Sequence, residues 1–131
     1  MNKEKVLALA DMIESSRKRL EMEGFLNTCG TAACIAGFAF VAERGQSWRK
    51  SAAEYWSDWG GGISIPEIAQ EYLELTEAQA DELFYVWKGP PLDAITREQA
   101  VETLRYLAQT GKVNWKRAAK LFPAESAAAA G

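Results

Sequence analysis

The tetrapeptides "TEAQ" at 76–79 and "TREQ" at 96–99 have the same pattern. In each, a threonine precedes a run of helix-forming residues and a glutamine follows three positions later. The hydroxyl can accept from a backbone N–H of the first turn, and the glutamine can reach back to the threonine's own N–H. Two donors that a helix start leaves unbonded are thereby satisfied. "SIPE" at 64–67 follows the same logic, with Ser64 as cap, Pro66 in the first turn and Glu67 three residues on. Three such starts in 131 residues predict an all-α domain.

Working outward from these caps, helices are expected over 65–74, 77–87 and 97–110. Gly111 suits the left-handed position that ends a helix. "VNWKRAAKLF" (113–122) adds a short helix capped by Asn114, and Pro90 and Pro91 mark the loop before Thr96. Towards the N-terminus, Val6, Leu9, Ala10, Ile13 and Leu20 form a helical stripe over 3–22, broken at Arg17 and stopped by Gly24. The next helix is expected to start at Thr31 as its cap, to bury Cys34, Ile35, Phe38, Val41 and Ala42, and to end at Gly45. Segment 46–63 is irregular, with a short helix around Trp48–Trp56 and a glycine break at 60–62. The expectation is one helical domain over 1–122: a compact bundle of five to six helices, the small-residue helix 31–44 near its centre, and an irregular Trp/Gly-rich insert. An Ala-rich tail follows at 123–131.

Composition narrows the function classes. The apolar fraction is 48% and the charged fraction 25%, ordinary for a globular domain. No apolar run is long enough to span a membrane, and acidic and polar residues interrupt the N-terminal apolar stretch, so a cytoplasmic protein is expected. The net charge is −3, and the basic residues are scattered apart from small clusters at "SSRKRL" and "SWRK". Duplex nucleic acid is therefore not an expected partner. Histidine is absent, which removes the commonest general base and metal ligand. Cys29 and Cys34 are read as free thiols. No catalytic residue, metal or cofactor is assigned.

Between these elements lies "NTCGTAACIAGFAF" (27–40), where small residues and glycines stand in helical sequence. A helix-interior glycine costs about 1 kcal/mol relative to alanine, so Gly37 needs a compensating reason. The first reading is close packing, with Cys34 as a small buried hydrophobe. The second is an anion site at the helix start, with a phosphate or carboxylate on the N–H groups of Gly30, Thr31 and Ala32. No P-loop lysine follows, so nucleotide triphosphatase chemistry is not implied. The third is thiol chemistry at Cys29, which a helix N-terminus would activate.

"CGTAACIAGFA" (29–39) resembles a C-G-T-x-x-C-I-A-G-x-A signature of a family of small bacterial and phage proteins. "YLELTEAQADELF" (72–84) and "ITREQAVETLRYLAQTGKVNW" (95–115) look similar to the same family. The resemblance implies a shared helical fold and a mobile-element origin, and no catalytic residue. Phe38 stands where the signature is expected to carry tryptophan.

The insert is rich in aromatics. Trp48, Tyr55 and Trp56 are expected to cover or enter the core, or to form an interface with Trp59, which sits beside the glycines. Trp59 could also stack on a flat ligand, with Arg44, Arg49 and Lys50 nearby for phosphate; a solvated face is the plainer reading of each cation. Trp87 and Trp115 are expected in the core. Glu67 is read as a cap, and Glu71 and Glu74 as solvent-facing. Three functions are carried forward. One is a non-enzymatic inhibitor or adaptor acting through protein contacts, with phage counter-defence and a host defence component as its setting and partner. The second is a protein that sequesters a small anionic ligand such as a nucleotide-type signal. The third is a thiol enzyme using Cys29. A homo-oligomer is compatible with the first.

Overall fold

Two of the three capping boxes close as the sequence requires, and at Ser64 only the hydroxyl half is seen. In the computed structural model, which describes residues 1–57, 62–86 and 88–123, Thr76 Oγ1 accepts from the Gln79 N–H at 3.1 Å and Gln79 Oε1 accepts from the Thr76 N–H at 2.9 Å. The same reciprocal pair joins Thr96 and Gln99, at 3.2 Å in each direction. Ser64 Oγ accepts from the Glu67 N–H at 3.5 Å.

Among the described residues there are seven α-helices: α1 (Lys3–Ser15), α2 (Ile35–Arg44), α3 (Trp48–Ser57), α4 (Ile65–Leu73), α5 (Glu77–Tyr85), α6 (Arg97–Thr110) and α7 (Trp115–Leu121). A 3₁₀ turn at Leu92–Ala94 follows the double proline. The fold is thus all-α, with a helix more than the upper expected number. α6 packs along α1 and α7, α2 packs along α4, and α1 touches both groups. The buried side chains of these layers form one contiguous core, from Val6 and Ile13 to Phe38, Leu83, Leu104 and Trp115. Gly45 and Gly111 end α2 and α6 in the left-handed conformation, as expected.

Two boundaries differ from the sequence reading. α1 stops at Ser15, not near residue 22, and α2 starts at Ile35, not at Thr31. Between them the chain runs through polar Ser16–Arg17–Lys18 and doubles back. It forms a minimal parallel pair, β1 (Arg19–Leu20) with β2 (Ala32–Ala33), plus a bridge from Leu26 to Ala33. Gly24 therefore terminates no helix; its carbonyl accepts from the Cys34 N–H at 3.0 Å inside this loop. Arg97 holds the loop from the other side. Its guanidinium donates to the carbonyl of Ile13 at the end of α1, and to that of Lys18 at 2.6 Å.

α2 is buried along every residue from Ile35 to Val41. The single stripe expected for it is a whole buried circumference, because the loop 24–33 covers one side and α1, α3 and α4 cover the rest. Trp115 is in the core, its indole N–H donating to the Glu82 carbonyl at 2.9 Å. Trp59, Trp87 and the tail beyond Pro123 lie outside the described residues.

Candidate functional site

The loop 16–34 and helix α3 lie against each other, and this junction contains most of the sequence-predicted site residues. Its centre is Asn27. Asn27 Oδ1 accepts from the backbone N–H of Thr31 at 2.8 Å and of Ala32 at 3.2 Å. Its Nδ2 donates to Thr31 Oγ1 at 2.9 Å, and its carbonyl accepts from the Gly30 N–H at 3.2 Å. These are the three N–H groups expected to hold an anion. They are internally bonded, and no helix dipole stands behind them, because α2 begins at Ile35. The anion-binding premise at Gly30, Thr31 and Ala32 is corrected on that ground.

Gly30 and Gly37 both serve close approach. Gly30 has φ +68°, and a Cβ there would stand 2.7 Å from the carbonyl oxygen of Trp48, at the start of α3. Gly37 faces the Phe25 carbonyl so closely that a Cβ would sit 1.6 Å from its oxygen. The cost of a helix-interior glycine is offset here by the packing of loop onto helix.

α3 carries two different surfaces along the junction. Near its C-terminal end, the Trp56 indole N–H donates to the Leu26 carbonyl at 3.1 Å, while the residue remains 39% exposed. Of the places expected for Trp56, the structure gives that of a cover and not of a core residue: its N–H is tethered to the loop and its ring lies at the surface. Tyr55 meets Trp56 edge-on at 5.5 Å and Phe40 at 6.2 Å. Phe25, Leu26, Tyr55 and Trp56, with Glu21 at the rim, line a groove of about 270 Å³. At the N-terminal end, half-buried Trp48 packs edge-on against Phe38, with centroids 4.8 Å apart, and the Lys18 ammonium lies 5.8 Å from its ring centre.

The predicted cations separate. Arg49 is exposed on α3 beside Trp48. Arg44 is engaged elsewhere: its Nε lies 3.0 Å from Glu43, its Nη1 lies 3.2 Å from Glu54, and its guanidinium rests over the Phe40 ring. It is a link between α2 and α3, which corrects its assignment to a ligand site with Arg49. Lys18, Phe25 and Leu26 were not singled out from sequence, although Lys18 belongs to the basic cluster "SSRKRL". Glu67, Glu71 and Glu74 are exposed, Glu74 accepting from the Asn2 amide at 2.9 Å, so they lack the burial that a catalytic carboxylate pair needs.

The two thiols differ in setting. Cys29 is exposed in the turn, and Cys34 is buried. Burial pushes the Cys34 thiol up to about 11, against a smaller opposing pull from the N–H groups of Gly37 and Ala36. Native protein is expected to show one thiol that reacts quickly with a chromogenic disulfide and a second that reacts only on unfolding. Because the folded-state value is raised, the stabilisation tied to neutral Cys34 is fully present below the unfolded value of 9.0 and is lost as pH rises towards 11. That loss is on the order of 2–3 kcal/mol. Urea melts of wild type and Cys34→Ala across this window check it; parallel curves would sink the assignment.

Among the described residues, no cluster of His, Cys, Asp or Glu could hold a metal, and no helix is long and apolar enough to cross a membrane. No protein-family profile, curated protein or solved structure matches this chain.

Proposed function

We propose that this protein is a non-enzymatic adaptor or inhibitor that works through protein contacts, with the outer face of α3 and the groove beside it as its recognition surface. The observation that carries the reading is Trp56: a large aromatic, 39% exposed, whose orientation is fixed by its bond to Leu26. A preset aromatic at the edge of an apolar groove has the character of an interface anchor, because little side-chain entropy remains to be lost on binding. Arg49 and Lys50 lie on the same helix and supply a polar rim. The resemblance of 29–39 to a bacterial and phage family makes counter-defence in the cytoplasm, against a host defence component, the setting that fits.

Tagged wild-type protein and Trp56→Ala, each incubated with bacterial extract, test the surface. A hot-spot loss of about 2 kcal/mol corresponds to roughly thirtyfold weaker retention of a specific partner. Trp56→Phe, which keeps an aromatic ring and removes the N–H, separates the anchor from the tether. Equal retention by wild type and Trp56→Ala, with melting temperatures matched, would remove α3 as the recognition face.

The groove also favours a second reading, in which it takes the flat ring of a small ligand such as a nucleotide-type signal. Its walls, Phe25, Tyr55 and Trp56, are the observation behind it. A saturable rise in melting temperature with a nucleotide, and not with a protein partner, would move the function to that class.

A further inference from the structure

Two basic clusters 30 residues apart in sequence meet at the junction. "RKR" at 17–19 lies in the loop after α1, and "RK" at 49–50 lies in the first turn of α3. Three contacts bring them together. Lys18 stands over the ring of Trp48, the residue before Arg49. The Arg19 N–H donates to the Thr31 carbonyl at 2.9 Å, which ties β1 to the residue after Gly30. A Cβ at Gly30 would lie 3.2 Å from the Arg49 Cα, so the turn touches the backbone of α3 directly. Arg97, bonded to the Lys18 carbonyl, fixes the loop in this position.

Arg17, Arg49 and Lys50 are exposed and make no ion pair among the described residues, whereas Arg19 is paired with Glu21 at 3.0 Å. These exposed cations stand out on a chain whose net charge is −3. We infer that this patch, formed by Arg17, Lys18, Arg49 and Lys50, docks an acidic segment of a protein partner. The inference rests on the protein-contact reading above and adds the partner's chemistry.

Charge complementarity selects the occupant. Exposed cations steer and orient an acidic surface, which adds specificity and association rate. Single-stranded nucleic acid would present the same sign of charge, but its usual second contact is a base stacked on an open aromatic face. Trp48, the aromatic inside the patch, has Phe38 at its edge and Lys18 over its ring. An acidic peptide needs no stacking platform and can use the separated point charges.

The test uses the full chain and two fluorescein-labelled probes: a peptide rich in aspartate and glutamate, and an oligothymidylate of equal net charge. The expected result is peptide binding that weakens with salt and falls about tenfold or more in the double variant Arg49→Glu/Lys50→Glu. The control Lys116→Glu/Lys120→Glu, on the exposed side of α7, is expected to leave it unchanged. Absence of peptide binding, equal weakening by both double variants, or tighter binding of the oligothymidylate would each overturn the inference. The extract experiment on Trp56→Ala is independent of this one. Loss of the peptide result alone removes the acidic partner, and loss of the Trp56 result alone removes the aromatic anchor.

Discussion

Gly37→Ala is expected to destabilise the protein by more than about 4 kcal/mol, a large part of the 5–15 kcal/mol typical of a domain. On an isolated helix the same change would stabilise by about 1 kcal/mol. The sign reverses because the added carbon would stand 1.6 Å from the Phe25 carbonyl oxygen and 2.7 Å from the Ala33 side chain. Neither neighbour can yield cheaply. Phe25 lies in the loop tied down by the bonds between Cys34 and Gly24 and between Trp56 and Leu26, and Ala33 is in β2. Gly45→Ala is the internal control. Nothing lies within 4 Å of its added Cβ, so only its φ of +65° resists, at about 1 kcal/mol. Urea unfolding of both variants, followed by far-UV circular dichroism, measures the contrast. Similar midpoints for the two would show that loop 24–26 does not rest on α2.

Phe38→Ala is expected to cost about 3–5 kcal/mol, the range for truncating a fully buried aromatic. Phe38 is 0% exposed in the middle of α2, where every neighbouring position is also buried, so the cavity has no surface side from which to collapse. It also supports Trp48 edge-on at 4.8 Å, a contact worth about 1 kcal/mol beyond burial. The variant should therefore loosen the first turn of α3 as well, seen as faster amide exchange at Arg49–Ala52. Phe38→Trp adds volume to a closed site and is expected to cost about 1–3 kcal/mol. A loss below about 2 kcal/mol for Phe38→Ala would mean that the site relaxes or takes up water.

The parts of the fold that were legible are those whose cause is local. Thr76, Thr96 and Ser64 mark their helices because a cap is satisfied within four residues. Gly45 and Gly111 end theirs for the same kind of reason, a left-handed residue bonding one turn back. The errors lie where a distant partner decides. Thr31 has the side chain of a cap, but Asn27 claims its hydroxyl and its N–H, and the pairing of Arg19–Leu20 with Ala32–Ala33 keeps the chain extended up to Cys34. Leu20 continues the apolar spacing of α1, yet it belongs to that pairing. Period alone cannot separate a helical turn from a short extended segment whose partner is a dozen residues away.

The site divides the same way. Trp48, Tyr55, Trp56 and Arg49 were legible as an aromatic and basic helix, because composition and spacing are sequence properties. The association of "RKR" with "RK", the groove walls Phe25 and Leu26, and the pairing of Arg44 with Glu43 and Glu54 were not, because each depends on how α3 lies across the loop. By itself the sequence determined an all-α chain, where most helices begin and end, and that Gly37 needs a compensating reason. Only the tertiary structure decided that the reason is the Phe25 carbonyl and that the Gly30–Ala32 amides are already bonded. It also decided that Lys18 of one basic cluster lies over Trp48, next to the other. Caps and helical periods are set by neighbours a turn away, whereas close approach and charge juxtaposition are set by which backbones pack together.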